Sequence, residues 1–186
     1  MPGDRFDRSS FLKAAGVAAL ALPAAPALAF GRPLQQQHGP MLGRNVMDVI
    51  EHRPELSTFA ELLNKTNLAN RLRHGGLLQS YTVFAPDNQA FNILPGNILN
   101  EILGNPQKLL RLLEHTVLPE LLTLLGLLQL LGLGGLIQPL IGPELKIAKR
   151  LSKTFIDEAE LIVPNLGALN GVVHIIDGVL FKGLGL

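Results

Sequence analysis

The sequence predicts an α+β domain, and three observations carry that reading. Apolar residues recur at helical spacing through residues 46–113, short β-branched runs separated by polar turns fill the chain after residue 143, and the two kinds of segment do not alternate as repeated strand–helix–strand units would. A chain of 186 residues suits one domain with a real core, or a domain plus a removable leader.

The first 29 residues read as an export signal. Arg5, Arg8 and Lys13 make a basic start, an Ala/Leu/Val run follows from Ala14 to Leu22, and Ala27-Leu28-Ala29 is a small-residue cleavage site before Phe30. The stretch RSSFLKAAG resembles a bacterial twin-arginine leader with Ser9 at the second arginine position, so the general secretory and twin-arginine routes both stay open. Pro23 and Pro26 argue against an amphipathic N-terminal helix. Residues 30–44, rich in Pro, Gly and Gln and without a period, read as a linker or extended arm.

From residue 45 the pattern changes. Val46, Val49 and Ile50 form one helical stripe, Phe59, Leu62 and Leu63 form a second, Pro54 separates them, and Gly75-Gly76 closes the helical region. Tyr81–Phe84 reads as a short strand stopped by Pro86, and Asp87 as the N-cap of a helix through Phe91 and Leu94. Pro106 then opens a helix with a Leu109/Leu110/Leu113 face, followed by a strand ending at Pro119. Residues 145–164 read as short strands with tight polar breaks, and Asn170-Gly171 as a hairpin turn before an alternating apolar strand.

Composition narrows the chemistry. The formal net charge is +1, and of the 16 basic and 15 acidic residues the leader would remove three and two, leaving 13 of each. No Lys/Arg cluster stands out, so nucleic acid is not an expected partner and attraction to anionic lipid is a poor expectation. With no cysteine there is neither a disulfide framework nor a thiolate metal site. The chain has no HExxH, GxSxG or Walker pattern, and the Gly-rich run near residue 132 lacks the polar partners of a phosphate loop. His174 and Asp177, three apart on a strand, point to opposite faces, and Asp157, Glu158 and Glu160 near a turn read as solvated acids rather than a cation site. Asn64-Lys65-Thr66 matches a glycosylation sequon, read here as an accident of composition. We therefore expect no enzyme, no cofactor and no metal.

Three segments carry a family resemblance: TVFAPDNQAF (82–91), LLEHTVLPE (112–120) and NGVVHIIDGVL (170–180) resemble, in order, the signature boxes of the fasciclin domain family. The resemblance spans residues 45–183 and implies a β-sandwich or wedge packed against several helices, in an exported or cell-surface adhesion module. It also implies structural parts for Thr82, Phe84, Pro86, Phe91, Asn170, Gly171, His174 and Asp177, with His174 buried. One departure matters: His115 and Thr116 stand where the family usually has Tyr-His, and Glu120 where it has Gly, so the integrin-type contact associated with that neighbourhood in some animal members is not carried over.

Between Glu120 and Glu144 no residue is charged, and Leu121–Gly132 repeats with a period of three. Against the family pattern this stretch, residues 121–142, resembles an apolar insertion. A helix with leucine on nearly every face should be largely buried. Twelve residues rise only about 18 Å against a hydrocarbon core of about 30 Å, and Gly134-Gly135 and Pro139 interrupt anything longer, so a membrane span is not expected. Two readings remain: a flap packed on its own core or across a homodimer, or leucines lining a cleft for a lipid, isoprenoid or carotenoid, as algal relatives that carry carotenoids would suggest. The candidate contact residues are Leu121, Leu124, Leu125, Leu128, Leu131 and Ile137, together with the face around Thr82–Phe91. The sequence thus points to a periplasmic or secreted adhesion domain, with a carrier of an apolar molecule as the alternative.

Overall fold

The computed structural model describes residues 44–74 and 79–185; the expected leader, nearly all of the arm and the Gly75-Gly76 stop lie outside the described residues. The fold begins with a reciprocal cap. Asn45 Oδ1 accepts from Asp48 N at 2.9 Å and Asp48 Oδ2 accepts from Asn45 N at 3.1 Å, which sets the start of α1 (Val46–Glu51). This helix buries Met47 as well as the expected stripe, because it is wedged between other helices and the sheet.

Pro54 opens a 3-10 turn (Pro54–Leu56) that leads into α2 (Ser57–Asn64), which buries Phe59, Leu62 and Leu63 as the spacing predicts. α3 (Leu68–His74) follows, then β1 (Tyr81–Pro86), and Asp87 caps α4 (Asn88–Ile93) by accepting from Ala90 N at 2.7 Å. α5 (Gly96–Gly104) buries only Ile102, too little for a period to announce it in the sequence. In α6 (Pro106–His115), capped by Asn105, the buried face is Leu109, Leu112 and Leu113, with Leu110 only half-buried. That corrects the expected face by one residue, since positions three and four apart share a side of the helix.

The strands form one curled, mixed, seven-stranded sheet. After β2 (Val117–Leu118) come the short α7 (Leu124–Leu130), a 3-10 turn (Leu131–Leu133) and β3 (Leu136–Ile137). β4 (Leu145–Arg150), β5 (Lys153–Ile156), β6 (Ala159–Ala168) and β7 (Gly171–Ile176) complete it in the spatial order β2-β1-β7-β6-β5-β4-β3. Neighbours are antiparallel except β1 and β7, which run parallel with Tyr81 opposite Gly171. β6 is longer than the short strands expected, and it stays in the sheet through two register shifts flanking Val163, the second of which takes in Pro164 and the left-handed Asn165 (φ 61°).

Two further expectations are corrected at the last hairpin. The tight turn is Leu169-Asn170, with Ala168 paired to Gly171, so Gly171 is the first strand residue rather than a turn residue. The reason is long-range: Asn170 Oδ1 accepts from Val46 N at 2.9 Å and its Nδ2 donates to Leu72 O at 2.7 Å, tying the turn to α1 and α3. β7 is also buried on both sides, not alternately in and out. Val173 and Ile175 enter the helix-side core with Val83 and Ala85, while Phe84 and Ile176 enter a second core with Leu118, Leu127, Ile137, Leu145, Ile147 and Ile156.

Candidate interaction surface

The second core is roofed by the leucine-rich segment, and polar side chains of the central strands fix where that segment starts. Thr82, fully buried in β1, donates through Oγ1 to Glu120 O at 2.7 Å and accepts from Leu122 N at 2.7 Å. His174, fully buried in β7, donates through Nε2 to Leu122 O at 2.8 Å and accepts at Nδ1 from Asn165 N at 3.2 Å. Asn165 in turn accepts from Leu124 N through Oδ1 at 2.8 Å, and Thr123 caps α7 by accepting from Gly126 N. Both backbone groups of Leu122 are therefore held by buried side chains.

The His174 ring stacks on Phe84, with centroids 5.6 Å apart. Its two hydrogen bonds require the neutral tautomer that donates from Nε2, and burial holds the imidazole below its ordinary value, partly offset by the bond to Leu122. This is a structural histidine. Asp177 stands just after β7 and accepts from Glu160 N at 2.6 Å; it does not meet His174.

At its far end the segment is fixed by backbone geometry. Gly135, at φ 64°, packs so close to β4 that a Cβ there would sit 2.7 Å from Ile147 O, and Leu140 N donates to Val117 O at 2.8 Å. His115, also fully buried, donates through Nδ1 to Ile141 O at 2.9 Å, and its Nε2 has no partner among the described residues. His115 and Thr116 are thus interior and present no surface to a partner; His115 anchors the segment, while Thr116 Oγ1 donates to Leu113 O of α6.

Between these anchors the six predicted residues divide. Ile137 is buried in the second core, Leu131 packs against it half-buried, Leu124 and Leu128 are half-buried, and Leu121 and Leu125 are exposed at 53% and 66%. Leu133 and Leu136, which sequence reasoning did not single out, are exposed at 84% and 52%. The expectation of a largely buried helix is corrected here. α7 is only seven residues long and lies on the sheet by one side, with Leu127 as its buried contact. Thr82–Pro86, Ala90 and Phe91 are interior as well, so of the expected contact face around Thr82–Phe91 only Asp87–Gln89 reach the surface.

No helix among the described residues is long and apolar enough to cross a membrane. Nor do three or more His, Asp or Glu side chains among them converge as a metal site would require. The acids near the β5–β6 turn are engaged individually: Asp157 accepts from Lys146 N at 2.8 Å, Glu160 pairs with Lys153 at 2.7 Å, and Lys182 pairs with Glu158 and holds its carboxyl below the usual range.

The fasciclin domain family model matches residues 54–182. The chain belongs to the fasciclin domain family. The transforming growth factor-beta-induced protein ig-h3 of Sus scrofa is 33% identical over 135 residues, which is 73% of this chain and 19% of that protein. Protein sll1483 of Synechocystis sp. is 28% identical over 73% of this chain and 74% of its own length, and the immunogenic protein MPB70 of Mycobacterium bovis is 28% identical over 69% and 64%. A solved fasciclin domain pair from the insect cell adhesion molecule fasciclin I superposes with a TM-score of 0.59 at 15% identity, covering 75% of this chain and 51% of that one, which establishes the shared fold. The chain spans about a fifth of the length of the ig-h3 relatives it matches. Fasciclin domains are generally modules of cell adhesion and surface interaction, non-enzymatic, and mostly secreted or extracellular.

Proposed function

We propose that this chain is an exported, non-enzymatic adhesion domain that contacts a protein partner through the exposed leucines of residues 121–142. The observation that carries this reading is that Leu121, Leu125, Leu133 and Leu136 face solvent on a segment fixed at both ends by buried Thr82, His174 and His115. A loose loop could fold its leucines inward; this one is held with four of them out. The segment carries no charge, so recognition rests on shape and apolar burial, and the occupant is a protein surface with an apolar groove rather than an anionic membrane.

Magnitudes say what kind of contact this is. Burying the exposed parts of four leucines is worth about 5 kcal/mol at about 2 kcal/mol per side chain. Much of that is offset by the entropy of association, so a single domain binds weakly. Adhesion would then come from many copies on one surface.

The test is surface adhesion of the chain from Phe30 onward, compared with its L125E/L133E variant. Retention should fall by about tenfold or more while the melting temperature stays unchanged; equal retention would remove the leucine segment from the proposal. Native mass spectrometry of the same protein separates the alternative. Extra mass released by organic solvent, and lost on replacing Leu124, Leu128 and Leu131 with Ala, would establish a carrier of an apolar molecule instead.

A further inference from the structure

A second feature lies away from the leucine segment. Where the chain leaves β7 it runs past the end of α4 and the β5–β6 turn, and the three enclose a cleft of about 330 Å³. Its floor is apolar: Leu94, Val179 and Phe181, which pack on the helix-side core, meet Leu180 of the second core. Ile93, 75% exposed, stands at its lip. Four charged residues line it: Asp157, Glu158, Asp177 and Lys182.

Glu158 and Lys182 pair with each other and Arg150 also acts on Glu158, so the lining carries three acids against one cation, with Asp157 and Asp177 in no ion pair among the described residues. Each aspartate uses one oxygen on a backbone N–H, Asp157 on Lys146 and Asp177 on Glu160, and the second oxygen of each has no partner among the described residues. Capping those N–H groups needs only a neutral acceptor such as Asn, so the two negative charges are surplus to the structural task. No three acids among the described residues meet as a metal site would require, whereas an organic cation needs only a carboxylate at the mouth and an apolar floor for its body. The aromatic ring of Phe181 is a further surface that favours a cation.

We propose that this cleft binds a small amphiphilic amine, its hydrocarbon or aromatic body on Leu94, Val179, Leu180 and Phe181 and its ammonium group at the acidic rim that Asp157 and Asp177 supply. The volume admits a body of about eight carbons, at the small end of the range for ligand pockets. The site is independent of the leucine segment and of the adhesion reading.

Octylamine, octan-1-ol and octanoate share an eight-carbon skeleton and carry a positive, a neutral and a negative head group, so they test the site on the native protein through amide chemical shifts. Octylamine should give saturable shifts at residues 157–159 and 177–182, with an affinity about tenfold or more above octan-1-ol, and octanoate should bind worst. The preference for the amine should shrink as salt rises, because the carboxylates sit at the mouth. D157N/D177N keeps both backbone acceptors and should bring octylamine down to the affinity of octan-1-ol without changing the latter. Equal binding of all three probes, octylamine shifts at residues 121–136 instead, or no saturable shift with octylamine would each overturn the proposal. The comparison among probes and its salt dependence need only the unmodified chain, so a poorly folding variant does not rescue it.

Discussion

The parallel pair β1–β7 and the leucine-rich segment make an instructive contrast. The strands Tyr81–Pro86 and Gly171–Ile176 contain a tyrosine, a threonine, a histidine, a proline and a glycine, yet every residue in them is buried. The segment 121–142 is charge-free and dominated by leucine, yet it leaves four leucines facing water. Burial here follows position in the sheet and not composition. A strand with neighbours on both edges and a core on both faces has no exposed direction, so its polar groups must be satisfied internally, as Thr82 and His174 are. A seven-residue helix lying on one face of that sheet has an outer side whatever its sequence, and leucines there are surface.

The largest effect that could break this comparison is at Gly171. A Cβ there would lie 2.0 Å from Tyr81 O, backbone against backbone, so Gly171→Ala should cost more than about 3 kcal/mol in denaturant unfolding, or prevent folding. A milder cost would mean that the β1–β7 pairing is looser than described. Next comes the leucine segment's inner side. Leu127→Ala should destabilise by about 2–5 kcal/mol, since that side chain is fully buried in the second core.

The staple between the two regions is intermediate. Thr82→Val keeps the volume but leaves Leu122 N–H and Glu120 C=O without their partner, and should cost about 1–3 kcal/mol. Hydrogen exchange in the variant should rise around residues 120–124 before it rises in β7; uniform exchange would show that Thr82 supports the whole core rather than the root of the segment.

His174 makes the same contact pH-dependent. Its folded value lies below the unfolded one, so the neutral ring's contribution is full above about pH 6.5 and is lost as pH falls from there through the folded value. Stability measured across that window should drop on acidification, and His174→Gln should flatten the drop; a profile unchanged by that substitution would assign the dependence to other groups. The smallest effect belongs to the outer side. Leu125→Ala, two residues from Leu127 on the same helix, should change stability by no more than about 0.5 kcal/mol. A larger loss would mean that the outer side is covered, and the adhesion surface would have to be sought elsewhere.

Several features were legible in the sequence because each is local or contrasts with its surroundings. The α1 and α2 stripes stand out against polar neighbours, Asp87 caps the helix it precedes, and the three boxes that resembled the family contain Thr82 and His174, which hold the root of the leucine segment. The facing of the leucines was not legible, because a period can be read only where apolar and polar residues alternate, and this run offers no contrast to read. The last hairpin was placed one residue off for another reason: the Asn170 side chain bonds across 124 and 98 residues of sequence, to Val46 N and Leu72 O, and local turn chemistry cannot anticipate that. The cleft was hidden in the same way, with Asp157 and Asp177 twenty residues apart and each unremarkable alone.

By itself, then, the sequence determined the class of fold, the kinship, the starts of α4 and α6 and the buried structural part of His174, since short-range periodicity, capping and motif order encode those directly. Only the tertiary structure decided that β7 lies at the centre beside a parallel β1, that Leu127 and Ile137 turn inward while Leu121, Leu125, Leu133 and Leu136 stay out, and that two distant aspartates share one apolar cleft. The physical reason is common to all three: each depends on which surfaces meet once the chain has closed on itself, and burial is a property of that meeting rather than of any residue.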